Sequence, residues 1–281
     1  MNYYAELAAK DLITKFKPEF DNRSYFLRDD GKINRTLRMS HDTPWIHVKT
    51  APNRNCGLYH TYHERLGFIH SVCQECWKVV VRPRTLLELH KLLNLQKALD
   101  LPCKCGIEKR ETVSALYGGY FYNDNIEEGR ECYKVVRSNV DLNLSPDVTV
   151  ILKRGCTEFE LAQGPSDKWE VSEEQKRMEC LLSDLIVQDR DLRPQPDHVK
   201  DTIFRSWIHW ACAYGDMTYL DYSDNNPLFR PPVTYHEEVK DEKEKHSAGS
   251  SKRSNRVGRK VKVKASPKAK SKTRSKAKSK K

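Results

Sequence analysis

Two close cysteine pairs constrain this chain more than any other feature. They are Cys73-Gln74-Glu75-Cys76 and Cys103-Lys104-Cys105-Gly106, with 26 residues between them. The intervening stretch reads as one short strand and one capped helix, so a folded insert can bring the pairs together. Four thiolates at such a junction predict a structural zinc site, because zinc favours sulfur donors and structural sites fill all four positions with protein. The insert is longer than in common zinc ribbons, and its helix accounts for the extra length. The same thiolates can hold an iron–sulfur cluster. Zinc is preferred here, because the three-cysteine runs of many cluster proteins are absent. The alternative is that these cysteines are small buried hydrophobes.

The stretch from His70 to Cys105 resembles a zinc-knuckle arrangement in general form. Upstream, Cys56, His60 and His63 form a possible second metal site. His60 and His63 are spaced to share a helical face, and Glu64 adds a carboxylate. No H-E-x-x-H motif accompanies them, so ordinary surface or core histidines are the default. Cys156 follows Lys153-Arg154-Gly155, which suggests a thiol with its pKa lowered by two cations. Cys180 and Cys212 read as core residues. Pro146-Asp147 with Glu158-Phe159-Glu160 is a faint version of a metal-nuclease pattern, but glutamate stands at position 160 where that pattern needs lysine. No phosphate-binding glycine loop and no nucleophile elbow occur.

Charge divides the chain in two. The whole sequence carries 50 Lys and Arg against 39 Asp and Glu. From His246 to Lys281 there are 11 Lys and 4 Arg with no acidic residue, so the remainder is slightly acidic. This Lys/Ser/Ala tail has almost no apolar side chains to offset ordering entropy, and is expected to be disordered. Its composition is similar to that of histone-like basic tails. Lys260, Lys262, Lys264, Lys268, Lys270 and Lys272 are the candidate phosphate contacts, reading charge rather than sequence on DNA or RNA. No apolar run is long enough to span a membrane. The N-terminus shows no secretion signal, which makes a reducing, cytoplasmic setting the expectation (nucleoid-associated, or nuclear in a eukaryote).

Local signals predict an α+β fold of helices and short strands around the cysteine module. Residues 3–17 form a helix ended by Pro18, and residues 20–55 are polar and irregular. Val79-Val80-Val81 is a buried strand. Thr85 and Ser172 open helices through capping boxes. Helices are expected at 126–140 and 197–214, with a strand at 148–152. The division that follows is 1–55, an N-terminal segment; 56–110, the Cys/His module; 111–236, a helical and strand body; and 237–281, the tail. The expected function is a zinc-stabilised, nucleic-acid-associated binding protein. A metal-dependent enzyme acting on nucleic acid or nucleotides, or an interaction scaffold with a solubilising tail, are the alternatives.

Overall fold

The computed structural model describes residues 10–36, 43–51, 55–187 and 194–235. It divides into two units, Met1–Arg230 and Pro231–Lys281; of the second only residues 231–235 are described, so the lysines singled out in the tail lie outside the described residues. The first unit mixes helices with two antiparallel sheets. Its centre is a five-stranded sheet in the order β3-β5-β6-β4-β7, comprising β3 (Trp45–Lys49), β4 (Trp77–Arg82), β5 (Cys103–Ile107), β6 (Tyr117–Asn123) and β7 (Thr149–Arg154). A separate hairpin pairs β1 (Tyr25–Leu27) with β2 (Ile33–Arg35).

This sheet draws one strand from the expected N-terminal segment, two from the cysteine module and two from the body. The boundaries at 55/56 and 110/111 therefore fall inside one hydrogen-bonded sheet, because β3 pairs with β5 and β5 with β6. The irregular reading of residues 20–55 missed three strands. Trp45-Ile46-His47-Val48-Lys49 does alternate, with Ile46 buried beneath the helices. Pro18 opens a second helix, α1 (Lys17–Asp21), rather than closing the first; its missing N–H is not needed in a first turn.

The two faces of the sheet differ in chemistry. Alternation along the strands sends Ile46, Val79, Val81, Cys103, Cys105, Ile107, Phe121 and Val150 to one side. There they pack with α4 (Leu86–Leu99), α5 (Ile126–Asn143) and α8 (Asp197–Ala213). Trp207 of α8 is fully buried there, and its indole donates to the Pro44 carbonyl at 2.8 Å. Gly119 lets α4 approach, since a Cβ at that position would run into Leu92. The glycine pair at 118–119 thus lies within a strand rather than at a bend. The expected caps form: Thr85 accepts from the Glu88 N–H at 3.2 Å, and Ser172 from the Gln175 N–H at 3.1 Å. Each such cap contributes about 1 kcal/mol.

The opposite face carries Lys78, Val80, Arg82, Lys104, Tyr120, Tyr122 and Lys153. A second core gathers Leu12, Phe16, Tyr62, Phe159 and Leu182 from the remaining elements. These elements are α2 (Cys56–Leu66), α3 (Ser71–Gln74), α6 (Thr157–Gln163) and α7 (Glu173–Leu185), together with the hairpin and the helical stretch at 10–16 that leads into α1. The functional candidates lie where this core meets the polar side of the sheet.

Candidate metal centre

Sheet alternation decides the fate of the four paired cysteines. Cys103 and Cys105 occupy alternate positions of β5, opposite Phe121 and Gly119, and both sink into the core under α4. Burial pushes both thiols up, Cys103 to about 12, as expected for inert core sulfur. Gly106 is likewise a strand residue: a Cβ there would strike the Pro44 carbonyl. Cys73 and Cys76 flank the end of α3 and belong to the other core or its margin. The expected grouping of Cys73 and Cys76 with Cys103 and Cys105 is not formed, and the zinc-knuckle-like arrangement goes with it. The strand that carries the second pair points its sulfurs the other way.

The fold gathers a different set instead. Cys56, Cys73, Cys76 and Cys156 line one apolar hollow, closed by Tyr59 and Val72. Counted out to its mouth it measures about 240 Å³, with about 10 Å³ of clear cavity at its centre. Each thiol arrives on a different piece of backbone. Cys56 is the first residue of α2, Cys73 lies in α3, Cys76 in the turn into β4, and Cys156 in the turn from β7 into α6. Two hydrogen bonds tie these pieces together: Gly155 N–H to the Cys76 carbonyl at 2.7 Å, and Arg154 Nε to the Gln74 carbonyl at 2.5 Å. Gly155 has φ +62°, and any side chain there would enter the Trp169 ring, so the turn that presents Cys156 requires glycine.

Lys78 lines this hollow, and Lys104 lies on the same face of the sheet. Lys78 Nζ lies 2.9 Å from Cys156 Sγ. Lys104 rests 4.5 Å above the Trp45 ring and feels the charges of Cys56 and Cys156. Among the described residues neither ammonium has a carboxylate partner. Burial alone would raise the Cys156 pKa, but the charge of Lys78 and hydrogen bonds from His60 and Lys78 outweigh it, holding the thiol at about 6. Burial would lower that of Lys78, yet Cys156 and Cys76 drive it well above its ordinary value. Both shifts describe one buried thiolate–ammonium pair. The lowered thiol pKa expected at Cys156 is there, but its cation is different. Lys153 bonds Thr157 and Glu160, and Arg154 bonds backbone carbonyls.

The expected second site, Cys56 with His60 and His63, is not drawn together as a metal-holding group among the described residues. Cys56 enters the thiol hollow and His60 reaches Cys156, stacking on Phe159 at 4.7 Å between ring centroids. His63 packs on the same Phe159 ring at 5.0 Å, so both imidazoles brace α6. The nuclease-like acids are dispersed. Asp147 is exposed beside Arg84 before β7, while Glu158 pairs with Arg110 and Glu160 with Lys153. Cys180 is exposed and Cys212 half-buried, so Cys180 is no core residue.

Sequence spacing could not reveal Cys156 as the fourth member, since 79 residues separate it from Cys76. The available signal was a strand followed by Gly-Cys and a helix start. The chain matches no protein-family model, and no curated protein or solved structure is similar to it. No helix among the described residues is long and apolar enough to cross a membrane.

Proposed function

We propose that this chain is a nucleic-acid-associated protein locked by a four-thiolate metal centre with Cys56, Cys73, Cys76 and Cys156 as ligands. The observation that carries the reading is the convergence of these four thiols, from four backbone segments, on one hollow. Sulfur-only donors suit zinc, cuprous ion or an iron–sulfur core. Four thiolates around any of these leave net negative charge, and Lys78, 2.9 Å from Cys156 Sγ, is the group that would offset part of it. A buried ammonium without such a partner is costly. The centre would staple the second core to the sheet, so metal and folding are linked.

Elemental analysis of anaerobically purified protein tests this, together with thermal unfolding with and without a strong chelator. Bound metal and a melting temperature lowered by the chelator are expected. Metal-free protein that melts identically under both conditions would overturn the centre and leave Cys156, with Lys78 and His60, as an activated thiol.

The nucleic-acid part rests on the 15 cationic residues from His246 to Lys281, unrelieved by any acid. A tail contacting about 6–10 phosphates loses about 10³–10⁵ in affinity between 50 and 200 mM salt. Removing residues 246–281 should abolish both the binding and its salt slope. Retention of either in the shortened chain would move the phosphate contacts to the folded unit.

A further inference from the structure

We infer that a basic cleft on the polar face of the sheet is a binding site for a phosphate monoester. It adjoins the thiol hollow and shares Lys78, Gly155 and Cys156 with it. The inference needs neither the metal centre nor the tail.

Strand alternation builds the cleft. Lys78, Val80 and Arg82 of β4 fall on the polar face, and Lys153 of β7 stands directly opposite Lys78. Arg110 lines it as well, from the connection between β5 and β6. Four cations therefore share one cleft, and among the described residues no carboxylate lines it. Like charges opposite one another on a sheet are destabilising unless something offsets them.

The offsets are uneven. Arg110 is braced by Glu108 at 2.5 and 2.8 Å and by Glu158 at 2.9 Å, so it shapes the wall. Lys153 bonds Thr157 and Glu160, which leaves one of its three donors. Arg82 has no ion pair among the described residues, and its buried Nε has no hydrogen-bond partner. A buried donor of that kind is costly to leave unmade, and native folds keep few of them. An anion in the cleft would accept from Arg82 and Lys153 together and supply the charge its walls lack. Arginine suits phosphate because its fork donates two parallel hydrogen bonds.

Size selects the kind of phosphate. Counted to its mouth the cleft measures about 400 Å³, with about 30 Å³ of clear space. One water needs about 10–15 Å³ of such space, so the clear part seats two or three oxygens, the tip of a phosphate group. A phosphodiester must carry its chain away on two sides, and the clear part is too small for that. Val113 and Ala115 add apolar wall for the organic part of a monoester.

Binding to the full chain tests this at about 150 mM salt, where exposed charges are screened. The probes are adenosine monophosphate, adenosine, glycerol phosphate and two short single strands identical except for a terminal phosphate. The tail lysines meet both strands nearly alike, so the difference between the strands reports the cleft. Adenosine monophosphate should bind, adenosine should not, and inorganic phosphate should compete. Arg82→Met and Lys153→Met should each weaken that binding about tenfold or more. Lys176→Met, at an exposed position of α7, should leave it unchanged. Equal binding of glycerol phosphate would support the site as one for small phosphate monoesters in general. Preference for the phosphorylated strand over the free nucleotide would support it as a site for strand ends. Failure of the wild-type chain to distinguish adenosine monophosphate from adenosine, or one strand from the other, would overturn the site without recourse to any variant. Phosphate-dependent binding that survives both substitutions would overturn its location.

Discussion

The two faces of the central sheet treat the same residue type in opposite ways. Cys103 and Cys105 lie among Ile46, Leu89 and Phe121, where burial raises their pKa and the sulfur acts as a small hydrophobe. Cys156 lies at the end of β7 beside Lys78 and His60, where charge and hydrogen bonding lower it to about 6. Cysteine chemistry is thus set by what surrounds the sulfur. One face of the sheet holds the fold together. The other carries a buried ammonium and thiol, Lys78 and Cys156, in hydrogen-bond contact.

The largest expected effect tests the apolar face. Trp207→Ala removes a fully buried indole and leaves the Pro44 carbonyl without its donor. Denaturant unfolding should show a loss of about 3–5 kcal/mol, with metal content per folded chain unchanged. Loss of metal in the folded fraction would show that the two faces are coupled.

Next comes a pH effect on the polar face. His47, on the edge strand β3, is held down at about 4 by burial and by the charge of Lys104. The unfolded chain then takes up this proton first as the solution is acidified. Stability should therefore be unaffected above pH ~6.5 and fall between ~6.5 and ~4, by about 3 kcal/mol for this residue. His63, His70 and His90 are also shifted down and act in the same direction. Comparing wild type with His47→Asn across that window isolates one contribution. An identical slope in the two proteins would contradict the burial of His47.

The smallest effect separates the two cysteine sets. Cys105→Ala should cost about 1 kcal/mol, as a small core truncation without polar consequences, and should leave metal stoichiometry unchanged. Cys73→Ala at the hollow should remove the metal altogether. If Cys105→Ala also released metal, the separation imposed by β5 would be wrong.

Much of the local structure was legible because its signals are short-range. Thr85 followed by Glu88 marks a helix start wherever it occurs, and Ser172 followed by Gln175 does the same. The valine run at 79–81 and the helices near 126 and 197 follow from propensity and capping. The hairpin and β3 were obscured by frequent polar residues, since short strands with exposed faces give weak periodicity. Close spacing drew attention to Cys73 and Cys76 but grouped them with Cys103 and Cys105, which the fold buries under α4 instead. A Cys-x-Cys spacing is also what a strand presents when it buries every second residue. Cys103 and Cys105 obey that second rule.

By itself the sequence determined the caps, the main helices, the charge asymmetry and the fact that cysteine would matter. Only the tertiary structure decided which thiols meet. Strand alternation sends the β5 pair into the core, and the β4–β7 pairing carries Cys156 across 79 residues of chain to Cys76. Local signals act over a few residues and can be read one segment at a time. The thiol hollow depends on strand order and register, which emerge when distant segments compete to bury their apolar sides.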